Sequence, residues 1–124
     1  MGSVEDGKPY RWGSLFAALG AMRTLARSGR IEEAAAREVA AATSNPYNEC
    51  RRLLREIGEP FFLARERGGS AADAALVIMD DIARLTPAGR ASRDGLDQGE
   101  AKAFVQGYEA RFAAYRKAWE SLAG

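Results

Sequence analysis

The chain has no histidine. That removes the usual general base near neutral pH, the commonest zinc ligand, and every nucleophile arrangement that depends on an imidazole. Its single cysteine, Cys50, cannot close an internal disulfide. Its place on an apolar helix face marks it as a small buried hydrophobe rather than a nucleophile. No glycine-rich phosphate loop of the P-loop or dinucleotide type occurs, and Gly68-Gly69 is a turn signal only. No apolar run is long enough to span a bilayer, and the first residues lack the basic-then-apolar pattern of a secretory leader, so cytoplasm is the expected compartment. Asp80-Asp81 is the carboxylate pair that would interest a metal, but adjacent positions point in different directions and no further ligands can be identified. Neither metal, cofactor nor enzymatic activity is expected.

What is present fits one domain. With 124 residues, 28% charged and 47% apolar, the chain can build a core but not two full domains. The formal net charge of +1 neither demands nor excludes nucleic acid, so the distribution of charge decides more than the sum. Residues 1–30 hold five cations against Glu5 and Asp6. Farther on, Glu32, Glu33 and Glu38 precede Arg51, Arg52 and Arg55. This asymmetry permits one basic face.

Residues 1–13 read as a flexible N-terminus, in which Tyr10 and Trp12 either staple the helix entry or mark a contact surface. From Ser14, a possible N-cap, Leu15, Ala18, Leu19, Met22, Leu25 and Ala26 make a helical stripe that Gly29 ends. A second helix is expected over Ile31 to Thr43. Ser44 or Asn45 then caps a third, with Pro46 at its first position, running from Tyr47 to Ile57. In that helix Cys50, Leu53, Leu54 and Ile57 form the buried stripe. Tyr47, Asn48, Glu49, Arg51, Arg52 and Arg55 point outward.

Beyond Gly58 and Pro60 two readings stay open. Phe61, Phe62 and Leu63 can pair with the run around Val77 and Ile78 as a β-hairpin across Gly68-Gly69. Alternatively, Ala71 to Leu85 forms a helix with Ala75, Ile78, Met79, Ile82 and Leu85 as its stripe, capped by a Ser70/Asp73 box. Thr86 and Pro87 open a short turn. Asp97 and Glu100 then form a capping box before a last helix, Gln98 to Leu122. Ala101, Val105, Tyr108, Phe112, Tyr115, Trp119 and Leu122 repeat along it at spacings of four and three, a heptad seam that serves either a second copy of the chain or its own core.

The stretches LFAALGAMRTLARSGR, AREVAAATSNPYNECRRLLREI and RLTPAGRA, covering roughly residues 14–91, resemble the winged helix-turn-helix regulators of bacteria, of the broad MarR and IclR kind. That resemblance implies a mainly α, α+β fold, a winged helix-turn-helix domain over 14–91 with a small β-hairpin, and the heptad seam adds a long C-terminal helix over 96–124 expected to dimerise. It implies a homodimer bound to double-stranded DNA, with Tyr47, Asn48, Glu49, Arg51, Arg52 and Arg55 facing bases or flanking phosphates. Arg65 and Arg67 would sit on the wing. Arginine can fork onto guanine and asparagine onto adenine, while a wing arginine needs only a phosphate or a narrow groove. Val105, Tyr108, Phe112, Tyr115, Trp119 and Leu122 would form the dimer seam. Operator and small-molecule effector are not legible.

The alternatives are an all-α helical bundle acting as a protein–protein adaptor, or a phage or plasmid DNA-packaging or replication accessory protein. On the adaptor reading the third helix's outer face is simply solvated, with Glu49 and Arg52, or Arg52 and Glu56, paired locally, whereas the accessory protein shares the winged-helix signal without a regulatory role.

Overall fold

The computed structural model describes residues 8–87 and 96–123, the side chains of 122 and 123 excepted. Leu122 of the heptad seam, and the part of RLTPAGRA beyond Pro87, therefore lie outside the described residues.

Six helices make up the described chain: α1 (Lys8–Ser28), α2 (Ala36–Ser44), α3 (Pro46–Arg55), α4 (Gly58–Arg67), α5 (Gly69–Leu85) and α6 (Gln98–Ala123). The first is the hub. Leu15, Phe16, Ala17, Ala18, Leu19, Ala21, Met22 and Leu25 are all buried, so burial wraps almost completely round it. A helix apolar on every side belongs in the middle of a fold, and α3, α4, α5 and α6 all pack against it. It begins at Lys8, before the expected Ser14. Ser14 lies buried mid-helix, where its hydroxyl donates to the Gly107 carbonyl at 3.3 Å.

α6 lies along α1 in the largest interface of the fold. Small residues let the two backbones touch: a Cβ on Gly13 would overlap the Phe104 carbonyl oxygen, and one on Gly107 the Tyr10 carbonyl oxygen. Around that contact Phe16 packs on Phe104 and Tyr108, with ring centroids 6.0 and 5.7 Å apart, and Tyr108 stacks on Phe112. Phe104, fully buried, contributes on the order of 1.5–3 kcal/mol by leaving water.

The stretch expected as a dimer seam packs within the chain. Tyr108, Phe112 and Tyr115 are buried, and Val105 and Trp119 pack half-buried on the same core, so the heptad faces α1 of its own chain. A seam for a second copy and a stripe for the chain's own core share one spacing, and only the presence of α1 distinguishes them.

The expected β-hairpin is also corrected. No strand occurs among the described residues: 61–63 lie in α4, and 75–79 in α5. Phe61 and Ala64 on α4, then Ala71, Ala75, Ile78 and Ile82 on α5, bury at helical spacing. Pro60 falls in the first turn of α4, where its missing N–H breaks no helical bond. Gly68 and Gly69, at φ 71° and 57°, supply the left-handed turn between the helices. The winged helix-turn-helix fold is thus replaced by the all-α bundle, and Arg65 and Arg67 are helical residues rather than wing residues.

Smaller features agree with the sequence or shift locally. Asn45 caps α3, its side-chain oxygen accepting from the Asn48 N–H at 3.2 Å, with Pro46 first in the helix. The Asp97–Glu100 box closes reciprocally at 2.8 and 3.1 Å. The second helix starts only at Ala36. Before it, Glu32 is held back against α1: its N–H donates to Thr24 Oγ1 at 3.1 Å, and its carboxylate accepts from Ser28 Oγ at 3.0 Å.

Candidate functional site

Two surfaces stand out, the outer side of α3 and the outer side of α4 and α5.

α3 packs on α1 and α2 through Pro46, Cys50 and Leu53, leaving its other side to solvent. Asn48, Arg51, Arg52 and Arg55 line an open groove of about 490 Å³ there, together with Glu56. The expected DNA-facing residues do not all remain available. Tyr47 is half-buried, edge-on to Trp12 at 6.4 Å, with the Arg51 guanidinium over its ring at 5.9 Å. Glu49 accepts from Arg52 at 2.9 Å, and this hydrogen bond holds the Arg52 guanidinium more firmly protonated than usual. Arg55 makes no hydrogen bond or ion pair among the described residues. Asn48 and Arg55 therefore keep free polar ends on that face, Arg51 lies over the Tyr47 ring with its N–H groups still open to solvent, and Tyr47, Glu49 and Arg52 are engaged within the chain. Cys50 is buried beneath them, and desolvation pushes its thiol up to about 12.

The two supposed wing arginines serve the fold. Arg67 forks from the end of α4 onto the last carbonyls of α1, Nε to Ala26 at 3.1 Å and a terminal nitrogen to Arg27 at 2.9 Å. Arg65 donates to the Ala72 carbonyl at 3.1 Å and ties α4 to α5.

The second surface was hidden in the sequence by the hairpin reading. Phe62 is 62% exposed, Val77 60%, Leu76 50% and Leu63 41%. Their neighbours Phe61, Ala75 and Ile78 supply the apolar stripe the core needs, so these four are surplus to it. A usable signal existed: positions 76 and 77 fall off the stripe formed by Ala75, Ile78, Met79, Ile82 and Leu85. Beside Leu63 an open groove of about 480 Å³ runs between α1, α3 and α4, with Arg23, Arg27, Glu56 and Glu59 on its walls.

At the far side, Tyr115 donates to Asp81 at 2.8 Å and Arg111 pairs with the same carboxylate oxygen at 3.5 Å. Burial first, then this hydrogen bond, raise the Tyr115 hydroxyl well above its ordinary value. The cluster joins α5 to α6. No group of three or more metal-ligating side chains occurs among the described residues, and none of their helices is long and apolar enough to cross a membrane. No family model, curated protein or solved structure matches the chain, and its function is therefore read from its own surface.

Proposed function

We propose that the protein is a non-catalytic helical adaptor that binds a partner protein through the outer face of α4 and α5. The observation that carries this reading is the exposure of Phe62, Leu63, Leu76 and Val77 on two helices that pack against each other. Large apolar side chains grouped on a monomer's surface mark interaction sites, whereas single ones need no explanation. Covering one such side chain is worth on the order of 1.5–3 kcal/mol before the costs of association. Phenylalanine at the centre of such a face is an anchor residue of the usual kind.

Replacing Phe62 or Val77 by a photo-crosslinking amino acid in cells tests this. A discrete adduct with another protein is expected from both positions and not from Lys117, an exposed position on α6. Absence of any adduct at either position removes the reading.

A second reading, duplex DNA binding through α3 without a wing, is favoured by one observation: Asn48, Arg51 and Arg55 present amide and guanidinium groups together on a face that α1 and α2 leave open. Arginine and asparagine are the side chains that fork onto base edges or phosphates.

A further inference from the structure

Glu59, Phe62, Leu63 and Glu66 stand at positions i, i+3, i+4 and i+7 of α4, and Asp73, Leu76, Val77 and Asp80 at the same four positions of α5. All eight are exposed. That spacing puts each quartet on one face of its helix, two apolar side chains bracketed a turn away on either side by carboxylates. Each helix buries its opposite face, Ala64 on α4 and Ala71, Ala75, Ile78 and Ile82 on α5. Both pack on α1 and on each other, and each turns its stripe away from that packing.

The carboxylates are largely uncommitted. Glu59, Glu66 and Asp73 form no ion pair among the described residues, while Asp80 pairs with exposed Arg84 at 2.9 Å. The cations on either side of Glu66, Arg65 and Arg67, are turned onto main-chain carbonyls, and Arg23 and Arg27 of α1 border only the Glu59–Leu63 end of the face.

We infer that this face docks a basic amphipathic helix of a partner protein, an inference that rests on reading α4 and α5 as a protein-binding surface. The partner's apolar side covers Phe62, Leu63, Leu76 and Val77, and lysines or arginines on its flanks meet the acidic rim. An apolar centre inside a charged rim is how interfaces gain both affinity and choice of partner. Other occupants fit worse. A second copy packed face to face would set carboxylate against carboxylate. The chain's own α3 offers Asn48, Arg51, Arg52 and Arg55 at the same spacing, placing cations where the apolar pair is needed. Nucleic acid and anionic lipid are repelled by the rim.

The test is fluorescence anisotropy with the full chain and three labelled synthetic peptides of roughly five helical turns: an amphipathic leucine/lysine helix, a leucine/glutamate helix of the same apolar pattern, and a scrambled leucine/lysine peptide. The leucine/lysine helix alone should bind, more weakly as salt rises. Phe62→Ser with Val77→Ser should abolish binding, and Glu59→Gln, Glu66→Gln and Asp73→Asn together should weaken it about tenfold. Circular dichroism should stay unchanged in both variants. Equal binding of the leucine/glutamate helix, or indifference to the three charge substitutions, overturns the charge selection while leaving an apolar docking face. Binding of the scrambled peptide, or of none, overturns the inference. A concentration-dependent dimer in sedimentation that Phe62→Ser with Val77→Ser dissolves assigns the face to a second copy and overturns it too.

Discussion

Gly13 and Gly107 form the place where α1 and α6 meet backbone to backbone, each having a main-chain carbonyl of the other helix where its Cβ would be. Gly13→Ala and Gly107→Ala should each destabilise the fold by about 3 kcal/mol, the upper part of the usual overpacking range, because a backbone atom cannot swing aside as a side chain can. Gly20, also within α1, has nothing within 4 Å of its Cβ position. Gly20→Ala should stabilise by about 0.5–1 kcal/mol through helix propensity alone. Urea denaturation of the three variants decides it, and equal effects would mean that the helices do not touch here.

Stability should fall in alkali from about pH 9. The unfolded Cys50 thiol ionises near 9.0 and the native one only near 12, so between those values the native state holds the extra proton. The contribution is complete below the unfolded value and is lost as pH rises towards the folded one, at up to about 1.4 kcal/mol per pH unit. Buried Tyr115 acts in the same direction at higher pH. Cys50→Ala should flatten the onset of this decline in urea midpoints taken across pH 8 to 10. An unchanged slope would show that the thiol is accessible in the native protein.

Arg67 should resist replacement by lysine. Its guanidinium reaches the Ala26 and Arg27 carbonyls at once, and Gly29, at φ 75°, completes the end of α1 with its N–H on the Leu25 carbonyl at 2.9 Å. Arg67→Ala is expected to cost about 1 kcal/mol and Arg67→Lys nearly as much, since a point charge cannot fork. Thermal unfolding of both variants is the measurement, and full recovery by lysine would leave only a charge effect.

Duplex DNA titrations at two salt concentrations address α3. If that helix contacts DNA, Arg51→Ala and Arg55→Ala should each weaken binding by about 1–3 kcal/mol where they read a base, or lower the salt slope by about one where they hold a phosphate. Arg52→Ala should do less, because its guanidinium is already bound to Glu49. No binding at low salt would end the DNA reading while leaving the α4–α5 surface untouched.

Local signals in the sequence located most helices. Asn45 before Pro46, the Asp97–Glu100 box, and Gly29 mark real helix ends because caps act within a few residues. Cys50 falls on the buried face as its spacing implied. The hairpin came with the resemblance, against a local pattern that leans to the helix; Phe61-Phe62-Leu63 and the run from Ala75 to Met79 hold more apolar residues than one helical stripe can bury, and a short fully apolar run does not distinguish a strand from a helix. The surplus that misled the secondary structure is the surplus left on the surface. Phe104 was missed because the heptad passes through Val105 instead, and the register of α6 is fixed by where Gly107 meets α1, a contact between distant parts of the chain. The engagement of Tyr47 with Trp12 and of Arg67 with the end of α1 likewise depends on packing that no local pattern records.

The burial of α1 on nearly every side also bears on the order in which the chain can fold. Ser14 and the Gly107 carbonyl it reaches are 93 residues apart, so the largest interface closes only after the long segment between them has been made. Ordering so long an intervening segment costs entropy that local helix contacts do not, and folding should be slower than in a bundle of sequential hairpins. During synthesis the apolar side of α1 that Phe104, Tyr108 and Phe112 later cover stays open until α6 has been made.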